Sequence, residues 1–124
     1  MQIRESAENY LEVILMLKKR IGKVRSIDIV NEMGFSKPSV SIAMKNFKEN
    51  DLITVDDEGY ITLTHSGLKI AESVLDRHET LSKMLINLGV SEETAKEDAC
   101  KMEHVLSEES YEKIKAHISK TSVL

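Results

Sequence analysis

Apolar residues return every three or four positions along most of this chain, and the one stretch where they alternate divides it. In ENYLEVILMLKKRIG, Leu11, Ile14 and Leu15 keep the spacing of an amphipathic helix, with Ala7 one turn earlier and Lys18 one turn on. Lys18, Lys19 and Arg20 fall in its last turn, where cations oppose the helix dipole, and Gly22 marks a stop. The segment from Val24 to Leu52 reads as two more helices. Ser26 is the expected N-cap of the first, with Ile27, Val30 and Met33 facing inward and Gly34 ending it. Ser36 is the expected N-cap of the second, Pro38 sits in its first turn, and Val40, Met44 and Phe47 form its inner side.

At LITVDDEGYITLT the period shortens. Ile53 and Val55, then Tyr60, Ile61 and Leu63, flank an acidic turn in which Gly59 takes the positive-φ position of a hairpin. Helical spacing then resumes in HSGLKIAESVLDRHETLSKMLINLG, which stops at Gly89. SEETAKEDACKMEHVL follows with Ser91 and Thr94 as candidate caps, and a last helix begins after Ser107. Helix, turn of about three residues, helix and short hairpin is the order of a winged helix-turn-helix. The expected fold is therefore mainly α. It comprises a winged helix-turn-helix DNA-binding domain over residues 1–70 and a helical domain over 71–124.

Composition narrows the setting. Of 124 residues, 41% are hydrophobic and only 4% aromatic with no Trp, so the core must be aliphatic. No stretch approaches the roughly 18 apolar residues of a membrane span, and the first ten residues lack the apolar core of a signal peptide. A cytoplasmic location is expected. The single cysteine, Cys100, excludes an internal disulfide and leaves a core thiol, a reactive thiol or a metal ligand.

The net charge of −4 argues against nucleic-acid binding until its distribution is seen. Residues 1–50 hold nine Lys/Arg against six Asp/Glu, whereas residues 71–124 hold seven against eleven. The positive charge gathers where the second helix of the pair begins. Ser36, Lys37, Pro38, Ser39 and Ser41 crowd its N-terminus, where short polar side chains and unpaired N–H groups can meet phosphates and base edges, and Lys45 and Lys48 continue the stripe. With Arg25 ahead of the pair, these are the candidate DNA contacts. Such a cluster alone also suits a solvated, capped helix start; the helix order around it favours DNA. Asp56, Asp57 and Glu58 at the wing tip would be repelled by phosphate, so the hairpin is expected to cover the core edge instead.

The acidic half carries different chemistry. Cys100, Glu103 and His104 stand at i, i+3 and i+4, within one sector of a helix. Thiolate, carboxylate and imidazole together suit a borderline divalent transition metal better than Ca²⁺ or Mg²⁺. The same triplet could equally be a core cysteine beside a pair of capping side chains. Three donors from one turn leave a coordination sphere open, and His78, Glu8 and Glu12 are further possible donors. Nucleophilic catalysis by Cys100 and His104 is disfavoured: no third residue orients them, no glycine loop offers an oxyanion site, and neighbouring acids oppose a thiolate. An enzyme is not expected. Two other classes stay open, a winged-helix regulator answering to a small organic ligand or partner protein, and a dimerisation adaptor without DNA contact.

DACKMEHVLSEE, preceded by RHETLSKML and by a helix beginning SKPSVS, resembles the diphtheria toxin repressor family of iron- and manganese-dependent transcriptional regulators. The resemblance spans residues 6 to 118. It implies a homodimeric repressor that binds double-stranded operator DNA when loaded with Mn²⁺ or Fe²⁺, with Asn9, Glu12, His78, Cys100, Glu103 and His104 at the metal-ligand positions. Asn9 stands where the iron branch has Met and the manganese branch Asp; it offers a neutral carbonyl oxygen, with Glu8 beside it. Glu12 with His78 matches the manganese branch, and Cys100 the iron branch. Ser82 and Lys96 occupy the places of the Glu and His of the iron branch's ancillary site, so that site is not expected. Ending at Leu124, the chain is also expected to lack the SH3-like third domain of larger members.

Overall fold

The structure, a computed structural model, describes residues 5–121. The chain forms two compact units, Met1–Ser73 and Val74–Leu124. The first contains α1 (Glu5–Ile21), α2 (Ser26–Met33), α3 (Lys37–Glu49), β1 (Ile53–Val55) and β2 (Ile61–Leu63), together with the start of α4 (His65–Asn87). The second contains the rest of α4, α5 (Glu92–Met102) and α6 (Glu108–Thr121).

In the first unit the apolar stripe of α1 is buried as its period requires, with Leu11 and Ile14 fully covered. Tyr10 meets Phe35 and Phe47 edge-on at centroid distances of 5.6 and 5.8 Å. Each such fully buried side chain contributes about 1.5–3 kcal/mol. Ser36 caps α3 as expected, its Oγ accepting from the Ser39 N–H at 3.3 Å, and Val40, Met44 and Phe47 are buried.

Helix α2 departs from expectation in two ways. Its N-cap is Arg25 rather than Ser26, because the Asp28 carboxylate accepts from the Arg25 N–H at 2.9 Å and so closes the first turn one residue earlier. Its core residue is Ile29, fully buried, while Ile27 is 43% exposed. Two residues apart on a helix are about 200° apart, so both cannot face in, and an eight-residue helix is too short for periodicity to choose between them.

Strands β1 and β2 pair antiparallel in the register Ile53↔Leu63, Thr54↔Thr62 and Val55↔Ile61. Val24 adds a bridge to Ile61, whose N–H donates to the Val24 carbonyl at 2.7 Å. Asp56 holds the wing turn itself: its Oδ1 accepts from the N–H groups of Glu58 and Tyr60, both at 2.9 Å.

In the second unit, α4 ends in a Schellman arrangement around Gly89, which has φ 103°. There the Val90 N–H returns to the Leu85 carbonyl and the Gly89 N–H to that of Ile86, each at 3.0 Å. Ala95 and Ala99, both fully buried, let α5 pack closely. Helix α6 is tied to α4 through Tyr111, whose hydroxyl donates to Asp76, and through Lys115, 2.9 Å from the same carboxylate. Burial works to raise the Asp76 pKa, but the hydrogen bonds from Tyr111 and Lys115 and the lysine charge outweigh it and hold the carboxyl below its ordinary range. Burial and the Asp76 bond push the Tyr111 hydroxyl up.

Candidate metal centre and DNA-reading face

The metal-site candidates are assembled at the end of α5. Ser91 starts that helix, its Oγ accepting from the Thr94 N–H at 3.4 Å, and the helical register carries Cys100 into the last turn. The helix stops at Met102, earlier than the unbroken pattern suggested, so Glu103 and His104 lie in the turn that follows. Glu103 nevertheless keeps helical dihedrals (φ −61°, ψ −25°) and bonds back to the Ala99 carbonyl at 2.9 Å. The i, i+3 relation to Cys100 therefore survives.

One ligand atom each from Cys100, Glu103 and His104 lies within 4.8 Å of the others. The Glu103 side chain is wholly buried and that of His104 is 1% exposed. From α4, His78 Nδ1 stands 2.9 Å from Glu103 Oε2. His104 Nε2 lies 3.3 Å from the other oxygen, Oε1, yet Oε1 has no hydrogen-bond partner among the described residues. The two atoms are close without the alignment of a hydrogen bond. A buried carboxylate oxygen left in that state costs about 1–3 kcal/mol or more. A divalent cation is the species that would satisfy it, and the mixed thiol, carboxylate and imidazole set fits one.

Asn9 and Glu12 are one turn apart on α1 in the first unit, Asn9 half-buried and Glu12 buried. At the ancillary positions, Ser82 is buried with an unpartnered Oγ, and Lys96 is exposed and paired with Glu92 at 3.0 Å. An exposed, paired ammonium offers a metal no lone pair.

One residue at this centre escaped the sequence reading. Arg77 donates to the carbonyls of Glu103 and Leu106 at 3.1 and 2.9 Å and to the Glu108 carboxylate at 2.9 Å. Its guanidinium also lies 4.9 Å from the centre of the Tyr111 ring. The available signal was that Arg77 is the only arginine after Arg25 in a lysine-rich chain and sits beside His78.

In the first unit, Ser36, Lys37, Pro38, Ser39, Ser41 and Lys45 are all exposed along the outer side of α3. Ser36 Oγ donates to Ser39 Oγ at 2.8 Å, which orders the helix start. Ile42, unremarked in the sequence, stands among them 64% exposed. Between α2 and α3 the surface is concave, a depression of about 360 Å³ lined by Ser26, Ile27, Val30, Lys37 and Ser41. Arg25 stacks over Tyr60 at 4.3 Å, and Lys23 approaches the same ring at 5.0 Å. Two cations therefore flank the base of the wing although its tip is acidic.

A winged-helix unit joined to a helical unit with a Cys–Glu–His cluster around a buried carboxylate defines a DNA-binding regulator of the metal-responsive class. Residues 2–62 match the family model of the iron dependent repressor N-terminal DNA binding domain, and residues 64–123 that of the iron dependent repressor metal binding and dimerisation domain. The chain belongs to the iron-dependent repressor family of DNA-binding, dimerising transcriptional regulators that depend on Mn²⁺ or Fe²⁺. Transcriptional regulator MntR of Escherichia coli is 36% identical over 107 residues, covering 86% of this chain and 69% of the relative. An HTH-type transcriptional regulator of Methanocaldococcus jannaschii is 31% identical over 118 residues, covering 94% of each. Among solved structures, the manganese regulator SloR superposes with a TM-score of 0.79 at 28% identity over 96% of this chain. A manganese-dependent transcriptional repressor in complex with manganese gives 0.83 at 28% identity over 91%. The chain spans about half the length of those two solved proteins, 55% and 52%. Among the described residues no helix is long and apolar enough to cross a membrane.

Proposed function

We propose that this protein is a cytoplasmic homodimeric repressor whose grip on double-stranded operator DNA is set by Mn²⁺ or Fe²⁺. Residues 1–70 read DNA; residues 71–124 bind metal and dimerise. The observation that carries the reading is the buried Glu103 oxygen without a hydrogen-bond partner, beside the donor atoms of Cys100 and His104. His78 and Glu103 hold each other in place, and Cys100 and His104 present the softer donors. Asn9 and Glu12 complete the ligand set on the strength of the family resemblance. Bound there, a divalent metal would supply two positive charges to these donors and satisfy the unpartnered Glu103 oxygen.

Arg25, Ser36, Lys37, Pro38, Ser39, Ser41 and Lys45 are the proposed DNA contacts. The N-terminus of α3 enters the major groove, and two copies address half-sites one helical turn, about 34–36 Å, apart. Because occupancy favours the DNA-competent state, operator DNA raises metal affinity by the same factor as metal raises DNA affinity.

The test is an anaerobic titration of chelator-stripped protein with Mn²⁺ and with Fe²⁺, following binding to fragments of its own promoter region. One of the two should switch binding on at micromolar concentration, and E103A and H104A should abolish the switch while leaving the protein folded. DNA affinity indifferent to both metals would overturn the proposal.

A further inference from the structure

Adjacent residues on α4 take hold of Glu103 from two sides. His78 meets its carboxylate, and Arg77 binds its backbone carbonyl. Successive helix positions point about 100° apart, so two neighbours converge on one residue only when that residue is the target of both. We propose that Arg77 is a positioning residue for the metal centre, whose guanidinium fork sets metal affinity by fixing the Glu103–Leu106 turn. The inference rests on the metal-binding reading above.

The turn needs such a device. Glu103 and Leu106 lie beyond the end of α5, in the turn before α6, where regular helical bonding no longer orders the backbone carbonyls. Arg77 reaches the carbonyls of Glu103 and Leu106 with one nitrogen and Glu108 with another, and its side chain is only 14% exposed. The Glu103 backbone is thereby pinned from α4, and the turn that carries the His104 imidazole is pinned at both ends. A shift of the Glu103 carbonyl would move its carboxylate away from His78 and His104 together.

The charge is accommodated as well. A cation beside a cation site would weaken it, but Glu108 pairs with this guanidinium and the Tyr111 ring lies against it. Lysine could not substitute. Its single nitrogen lacks the planar fork that serves carbonyls and carboxylate together.

The experiment compares the parent protein with R77M, R77K and E108Q, all as full chains. Mn²⁺ affinity is measured from the electron paramagnetic resonance of unbound Mn²⁺, and ligand geometry from the absorption bands of bound Co²⁺. R77M should weaken Mn²⁺ binding about 10–100-fold, the usual cost of losing an outer partner of a metal ligand, and should alter the Co²⁺ bands. R77K should fall between parent and R77M. E108Q keeps both carbonyl bonds and should stay within about threefold of the parent. Parent-like affinity and Co²⁺ bands in R77M would overturn the inference, as would an E108Q defect equal to that of R77M. Should R77M not fold, R77K decides, and unchanged affinity there overturns it equally. A parent protein that binds no Mn²⁺ or Co²⁺ at all would instead defeat the underlying metal reading.

Discussion

Replacing Gly67 by alanine sets helix propensity against a backbone collision, and the structure says which wins. Gly67 lies in the first turn of α4, where alanine would ordinarily gain about 1 kcal/mol. A Cβ added there, however, would lie 2.0 Å from the Leu52 carbonyl oxygen and 3.3 Å from Leu63 Cδ2. That carbonyl cannot yield cheaply. It accepts from the Thr64 N–H at 3.0 Å, and the Leu52 N–H is bound to the Phe47 carbonyl at 2.9 Å. Clearing the clash means moving a peptide between α3 and β1 by more than an ångström. Overpacking of that kind costs about 1–3 kcal/mol, and losing the Thr64 bond about 1 more. After the propensity gain, the net destabilisation is about 1–3 kcal/mol, a large share of the 5–15 typical of a domain. Urea denaturation followed by far-ultraviolet circular dichroism measures it, with exposed Ser66→Ala as a neighbour expected to change stability by less than about 0.5 kcal/mol. A Gly67→Ala midpoint as close to the parent as that of Ser66→Ala would refute the argument.

Three further outcomes follow from contacts already described. The lowered Asp76 carboxyl contributes stability that is fully present above its unfolded pKa and is lost as pH falls through the folded one. Asp76→Asn should therefore flatten the acid limb of a stability-versus-pH curve, and coincident limbs would dismiss the Tyr111–Asp76–Lys115 clamp. Lys37→Ala or Lys45→Ala should weaken operator binding and reduce the slope of affinity against salt by about one unit each; an unchanged slope would remove α3 from the interface. Ile42, central on the outer side of α3, should reward a thymine methyl in the major groove. Replacing operator thymines one at a time by deoxyuridine should locate one position that weakens the parent severalfold and leaves Ile42→Ala unmoved. Failure to find such a position would refute the contact.

Long periodic segments were legible because burial follows period. Leu11, Ile14, Val40, Met44 and Phe47 all lie where their spacing put them, and Ser36, Ser91 and Ser107 act as caps because their oxygens have a specific orphan N–H to meet. The short helix α2 was not legible to the residue, since eight positions fit two faces about equally well. The Val24–Ile61 bridge is a single pair and has no period at all. At the metal centre, Cys100, Glu103 and His104 could be read from spacing, but His78 lies 25 residues before Glu103 and could be named as a donor without spacing to place it. Arg77 was hidden for a related reason: it binds backbone carbonyls, which every residue has, so no partner side chain announces it. Gly67 likewise answers to a peptide brought near only by the fold.

The ring of Tyr60 beneath Lys23 and Arg25 changes the thermodynamics of the proposed interface rather than its list of contacts. A solvent-exposed arginine approaching phosphate gives up rotational freedom worth about 0.5–1.5 kcal/mol per side chain. Arg25, its guanidinium stacked on Tyr60, has surrendered part of that freedom in the folded protein before any DNA arrives. Association then proceeds with less entropic opposition at the wing. Tyr60, which touches no base in this scheme, thus sets how much of the contact energy of Arg25 survives as affinity.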